Sequence, residues 1–170
     1  TKTLIIQNNL AGCLQRQGKL KQAEILHKET MEGAARLLGP THPFSLRSMN
    51  NVAEVLRELA ELQKERSSTE HENILSKAQE LQEKALRGRE SQLGMEHLDT
   101  LTSTFNLGQI MHARKEHRRA LSLYRRALDG LEKNTGQQSP VKVACREKVA
   151  LLEQEMHLQA RVIHNERADS

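Results

Sequence analysis

Asn8-Asn9-Leu10-Ala11 returns 42 residues later as Asn50-Asn51-Val52-Ala53 and, after a further 55 residues, more loosely as Phe105-Asn106-Leu107-Gly108. A second string keeps the same two shifts in the opposite order. Leu38-Gly39 recurs as Leu93-Gly94 after 55 residues, and Gly94 as Gly136 after 42. Ala23, Ala78 and Ala120 also obey the 55-then-42 spacing. A single 42-residue period explains all three series if the middle unit carries 13 extra residues, Glu61 to Asn73. Self-similarity at a fixed period marks a stacked-repeat architecture, in which each unit buries its apolar face only against its neighbours.

Within a unit the pattern is two helices and a tight turn. Ile6, Leu10, Cys13, Leu14 and Gln17 recur at three- and four-residue steps, Gly18-Lys19 interrupts, and Leu20, Ala23, Leu26 and Thr30 resume the period. Gly18 suits the left-handed position that ends a helix, and Gly39, Gly94 and Gly136 end the second helix of each unit, so the glycines are read as caps. Shortly after each of these comes a helix start: His42-Pro43, His97-Leu98 and Ser139-Pro140. Ala11, Ala53 and Gly108 on the first helices, and Ala23, Ala78 and Ala120 on the second, are small where two helices must approach closely.

Composition agrees. Phe44, Phe105 and Tyr124 are the only aromatic residues of 170, so the core is aliphatic, which favours helices over a sandwich or barrel. A net charge of +4 does not by itself imply nucleic acid or an anionic membrane. Cys13 and Cys145 are too distant and too few for a disulfide framework, and reduced thiols imply an intracellular, cytoplasmic protein. No apolar run reaches the roughly 18 residues of a membrane span. The chain starts without Met inside an amphipathic pattern, which reads as a piece of a longer polypeptide.

The strings Asn8-Asn9-Leu10-Ala11, Gln17-Gly18-Lys19-Leu20-Lys21-Gln22-Ala23-Glu24 and Leu38-Gly39-Pro40-Thr41-His42-Pro43 resemble the tetratricopeptide repeat, and the 42-residue period is similar to the kinesin light chain variety. The resemblance covers about residues 3 to 150. It implies an all-α, right-handed superhelical stack of antiparallel helix pairs with a C-terminal capping helix. Repeats are expected over about 1–40, 41–95 and 96–137. The third unit departs most, with Lys115 at the turn glycine and Phe105 at the first Asn. The insertion 61–73 breaks only at Ser67-Ser68-Thr69. It is read as an elongated helical hairpin with each arm about six residues, or some 9 Å, longer, or alternatively as a disordered loop. Cys145, Val149, Leu152, Met156, Ala160 and Ile163 form the stripe of a long terminal helix, about 139–166, that covers the last repeat.

Little in the sequence carries chemistry. No Gly-x-Ser-x-Gly, phosphate-cradling loop or His-Glu-x-x-His occurs, and neither an enzymatic role nor a cofactor is expected. His112 and Glu116 share a helix face, as do Glu153 and His157, but further ligands are missing and His117 is read as pointing elsewhere, so no metal site is expected. Cys13 is read as a small core residue near the inter-helix seam. Arg114, Lys115, Arg118, Arg119, Arg125 and Arg126 form a basic patch, read first as a solvated face and second as a dock for an acidic peptide.

The resemblance places polar groups of the first helices on a concave wall. The groove candidates are Asn8, Gly12, Arg16, Arg47, Asn50, Asn51, Glu54, Arg57, Gln109 and His112. An Asn amide both donates and accepts, so it holds a peptide backbone regardless of sequence. Asn9, Asn51 and Asn106 serve equally well as structural bridges between helices. The function implied is a non-enzymatic scaffold that holds a peptide or helix from a protein partner, as in a cargo adaptor. The alternatives are the tail of a nucleotide-binding sensor used for ligand sensing or self-association, and RNA binding through the Arg-rich third unit.

Overall fold

The computed structural model describes residues 2–63, 68–134 and 139–168. These form seven α-helices and no strand: α1 (Lys2–Arg16), α2 (Leu20–Leu38), α3 (Pro43–Leu62), α4 (Ser68–Leu93), α5 (Leu98–Ala113), α6 (His117–Asn134) and α7 (Pro140–Ala168). Each helix packs on the next in sequence, and α5 also touches the first helices on either side of it, α3 and α7. Among the described residues no comparable contact joins α2 to α4 or α4 to α6.

The turns follow the glycine reading. Gly18, Gly39 and Gly94 have φ of +74°, +93° and +85°, a region where a Cβ is strained. Lys115 takes the same conformation, φ +61°, without being glycine. His42 caps α3 by accepting the Phe44 amide on Nδ1 at 3.1 Å, and His97 accepts the Asp99 amide in the same way. Ser139 Oγ accepts the Lys142 amide at the start of α7. The cap expected at Gly136 and the break at Ser67 lie outside the described residues.

Not every glycine is a cap. Gly33, Gly88 and Gly130 lie inside second helices, where a Cβ would stand 2.8, 2.6 and 2.5 Å from a methyl of Leu4, Leu46 and Leu101 respectively. All three glycines and all three leucines keep the repeat shifts. Each unit thus seats one leucine of its first helix in a notch of its second, which holds the helices in close register.

The expected small residues Ala11, Ala53, Ala23, Ala78 and Ala120 are fully buried. Gly108 gives way to the Tyr124 ring, 2.7 Å from where a Cβ would be, and Phe105 packs against that ring with centroids 5.5 Å apart. Phe105 therefore fills core. The main core runs unbroken from Leu20 and Ala23 through Val52, Leu101 and Tyr124 to Cys145 and Leu152, with Val149 and Met156 packed against it. The α7 stripe thus covers the third repeat as far as its side chains are described. Cys13, expected in the core, is exposed, because α1 has only α2 and part of α3 to cover it. Among the residues adding length to the middle unit, the share is unequal: α3 has 20 residues against 15 in α1 and 16 in α5, whereas α4 has 26 against 19 in α2 and 18 in α6.

Candidate functional site

The first helices are joined by side-chain amides. Asn51 Nδ2 donates to Asn8 Oδ1 at 2.8 Å, and Asn106 Nδ2 donates to Asn50 Oδ1 at 3.1 Å. Asn50 Oδ1 also accepts from Gln82 Nε2 at 3.0 Å, and Gln82 reaches the Ser103 carbonyl at the same distance. Asn50 is 8% exposed, so its amide serves the joint between helices. At the next joint the corresponding residues are Phe105 and Lys148, and the amide pair is lost.

Two cavities open on this side of the stack. One, of about 300 Å³, is lined by Asn8, Gly12, Cys13, Arg16, Asn51 and His27, among others. The other, of about 500 Å³, is lined by Arg57, Gln109, His112, Lys115, His117, Tyr124 and Lys148, with Glu61 at its side. Seven groove candidates are thus gathered in two places: Asn8, Gly12, Arg16 and Asn51 in the first, Arg57, Gln109 and His112 in the second. Arg47 and Glu54 lie in neither. The Arg47 guanidinium sits 4.9 Å over the Phe44 ring. Glu54 reaches solvent yet has protein on most sides, and this loss of hydration, then the Glu58 carboxylate, raises its pKa against the opposing pull of Arg57.

The floor of each cavity is a residue the sequence reading passed over. His27 and Tyr124 occupy one position of the repeat, four residues after Ala23 and Ala120, and Gln82 is the same position after Ala78. All three are buried. Both ring nitrogens of His27, the Tyr124 hydroxyl and the Gln82 Oε1 lack hydrogen-bond partners, while the Gln82 amide nitrogen is held by Asn50 and Ser103. Burial lowers the His27 pKa and raises that of Tyr124, so both are neutral at physiological pH. The signal was present: a polar residue repeating at the phase of the alanines.

Other side chains are structural or committed to partners. Burial pushes the Cys145 thiol up to about 12, which leaves it unreactive. Arg89, 8% exposed, donates to the Asp99 carbonyl at 3.1 Å and to Ser103, fixing α4 to the start of α5. The basic patch is split: Arg118, Arg125 and Arg126 line one cavity, and most of its arginines are in ion pairs. Arg114 contacts Glu72, Gln79 and Glu116; Arg119 pairs with Glu116 at 2.6 Å; Arg125 with Glu153 and Arg126 with Glu90, both at 2.5 Å. Lys115 and Arg118 line different cavities. His117 does not point away from His112 as expected: the tight Lys115 turn brings their rings to 5.6 Å, centroid to centroid.

The family model described as tetratricopeptide repeat matches residues 2–68 and 75–133. Among solved structures, BtubC (BKLC) from P. vanneervenii superposes with a TM-score of 0.67 at 16% identity, over 91% of this chain and 64% of that one. The chain therefore spans less than two thirds of that relative's length. A Podosopora anserina protein described as a kinesin light chain with nearly identical TPR-like repeats aligns at 21% identity over 99% of this chain and 98% of its own, with a TM-score of 0.43. No curated protein sequence matches the chain. With matching segments over most of its length and helix pairs that repeat at the same period, the chain belongs to the tetratricopeptide repeat family.

Proposed function

We propose that this chain is a non-enzymatic interaction module that holds an extended, acidic peptide of a protein partner along the face formed by α1, α3, α5 and α7. Tetratricopeptide repeats are protein-interaction scaffolds. The observation that carries the finer reading is the pair of cavities on one face, lined by amide and cationic side chains such as Asn8, Arg16 and Asn51 in one and Arg57, Gln109 and Lys148 in the other. Arg57, Lys115 and Lys148 in the larger cavity favour a carboxylate, and Asn8, Asn51 and Gln109 suit a peptide backbone. A cargo-adaptor role would use this same face.

Panning a random peptide library on the chain tests the reading. Acidic peptides are expected to be enriched, and their affinity to fall at least tenfold in Arg57→Ala/Lys148→Ala. Failure to enrich any peptide, or binding indifferent to that pair, contradicts it.

Exposed Ile5, Ile6 and Leu10 on α1, at 42%, 67% and 52%, favour self-association as a second reading, since an apolar row of this kind is a contact surface. A mass by light scattering that stays monomeric at high concentration would exclude it. RNA binding has no such support, because Arg114, Arg119, Arg125 and Arg126 are in ion pairs.

A further inference from the structure

We propose that His112, His117 and Glu155 form a binding site for a divalent transition ion of the Zn²⁺ class, which ties the terminal helix α7 to the α5–α6 hairpin. The three residues come from three helices. His112 lies in the last turn of α5, His117 opens α6 after the turn at Lys115, and Glu155 projects from α7.

One ligand atom from each residue lies within 4.8 Å of the others. His112 Nε2 is 3.5 Å and His117 Nδ1 3.9 Å from the same carboxylate oxygen of Glu155. A tetrahedral ion with bonds of about 2.0–2.2 Å holds its ligand atoms roughly 3.3–3.5 Å apart. Small side-chain rotations close the remaining gap. His112 Nε2 bonds directly to the Glu155 carboxylate, a contact that an ion would replace, whereas at 3.9 Å His117 Nδ1 is too far from that oxygen for a hydrogen bond.

A second observation points the same way. His117 Nδ1 is sealed from solvent and has no hydrogen-bond partner. The imidazoles meet edge-on at 62° and do not stack, an arrangement open to sharing one ion. Two imidazoles and one carboxylate select Zn²⁺, Ni²⁺ or Cu²⁺ over Mg²⁺ or Ca²⁺, which prefer oxygen ligands. The fourth position would fall to water beside the larger cavity. Lys115 and Lys148 line that cavity, and their positive charge weakens cation binding relative to a structural zinc finger.

The inference does not depend on peptide binding and is tested without a peptide. The whole chain, stripped with EDTA, is titrated with ZnCl₂ by calorimetry in a non-coordinating buffer, and its thermal unfolding is followed with ZnCl₂ or MgCl₂. One Zn²⁺ per chain is expected, with a raised Tm in zinc and none in magnesium. His117→Ala and Glu155→Gln should each weaken zinc binding at least tenfold while keeping helical circular dichroism, and Glu153→Gln should leave it unchanged. No saturable binding up to about 1 mM zinc overturns the proposal, since a site that weak would be no better than mM. So does binding that survives both substitutions, or that is lost in Cys13→Ser.

Discussion

Asn106 Nδ2 donates to Asn50 Oδ1 across 3.1 Å from α5 to α3, and the same bond one unit earlier joins Asn51 to Asn8. The two bonds are related by the repeat, so they belong to the way successive first helices are stitched together. Where the third would fall, Phe105 and Lys148 replace the amides, and there the larger cavity opens. One break in a structural ladder is therefore linked to one candidate binding site.

Removing Asn50 should cost more than removing Asn106, because Asn50→Ala deprives two donors, those of Asn106 and Gln82. About 1–3 kcal/mol is expected for Asn50→Ala and about 1 kcal/mol for Asn106→Ala in urea unfolding. A double-mutant cycle should show coupling above about 0.5 kcal/mol. Strict additivity would mean that the bond contributes nothing.

Gly88→Ala should destabilise by about 1–3 kcal/mol, since the new Cβ would stand 2.6 Å from Leu46 Cδ2 inside the inter-helix notch. Gly12→Ala is the contrast: its Cβ meets nothing closer than Arg16 Nη1 at 3.7 Å, and the gain in helix propensity is up to about 1 kcal/mol. Thermal unfolding of both variants should show shifts of opposite sign.

Lys115→Gly should stabilise by roughly 0.5–1 kcal/mol. The relief of a left-handed backbone at a residue with a Cβ exceeds the extra entropy that glycine gives the unfolded chain. A lower Tm would show that the Lys115 side chain holds the turn.

The repeat period, the helix pairs, the capping His42 and the small seam residues were legible in the sequence because each recurs at one spacing. The notches at Gly33, Gly88 and Gly130 recur equally well, but a glycine near a helix end was read for its backbone freedom alone, although its missing side chain is what matters at these three. His27, Gln82 and Tyr124 escaped for a different reason. They share one repeat position but are chemically dissimilar, so the recurrence drew no attention until burial marked them as one row. The convergence of His112 with His117 and Glu155 was not legible, since it depends on how tightly the Lys115 turn folds and where α7 docks.

Glu54 gives a pH test of the wall itself. Its pKa is raised in the fold, so its contribution to stability is complete below its ordinary value of 4.5 and is lost as pH rises through the folded value. Glu54→Gln should accordingly raise Tm near neutral pH, with the advantage closing near about pH 4. A constant difference across that range would place Glu54 in open solvent.

The most direct measurement is backbone amide NMR of the chain titrated with an acidic peptide taken from the library selection. The expected shifts fall on Asn8, Arg16, Asn51, Arg57, Gln109 and His112, with the outward side of α2, α4 and α6 unmoved. Shifts confined to that outward side, or scattered over the whole surface, would contradict a binding face built by the first helices.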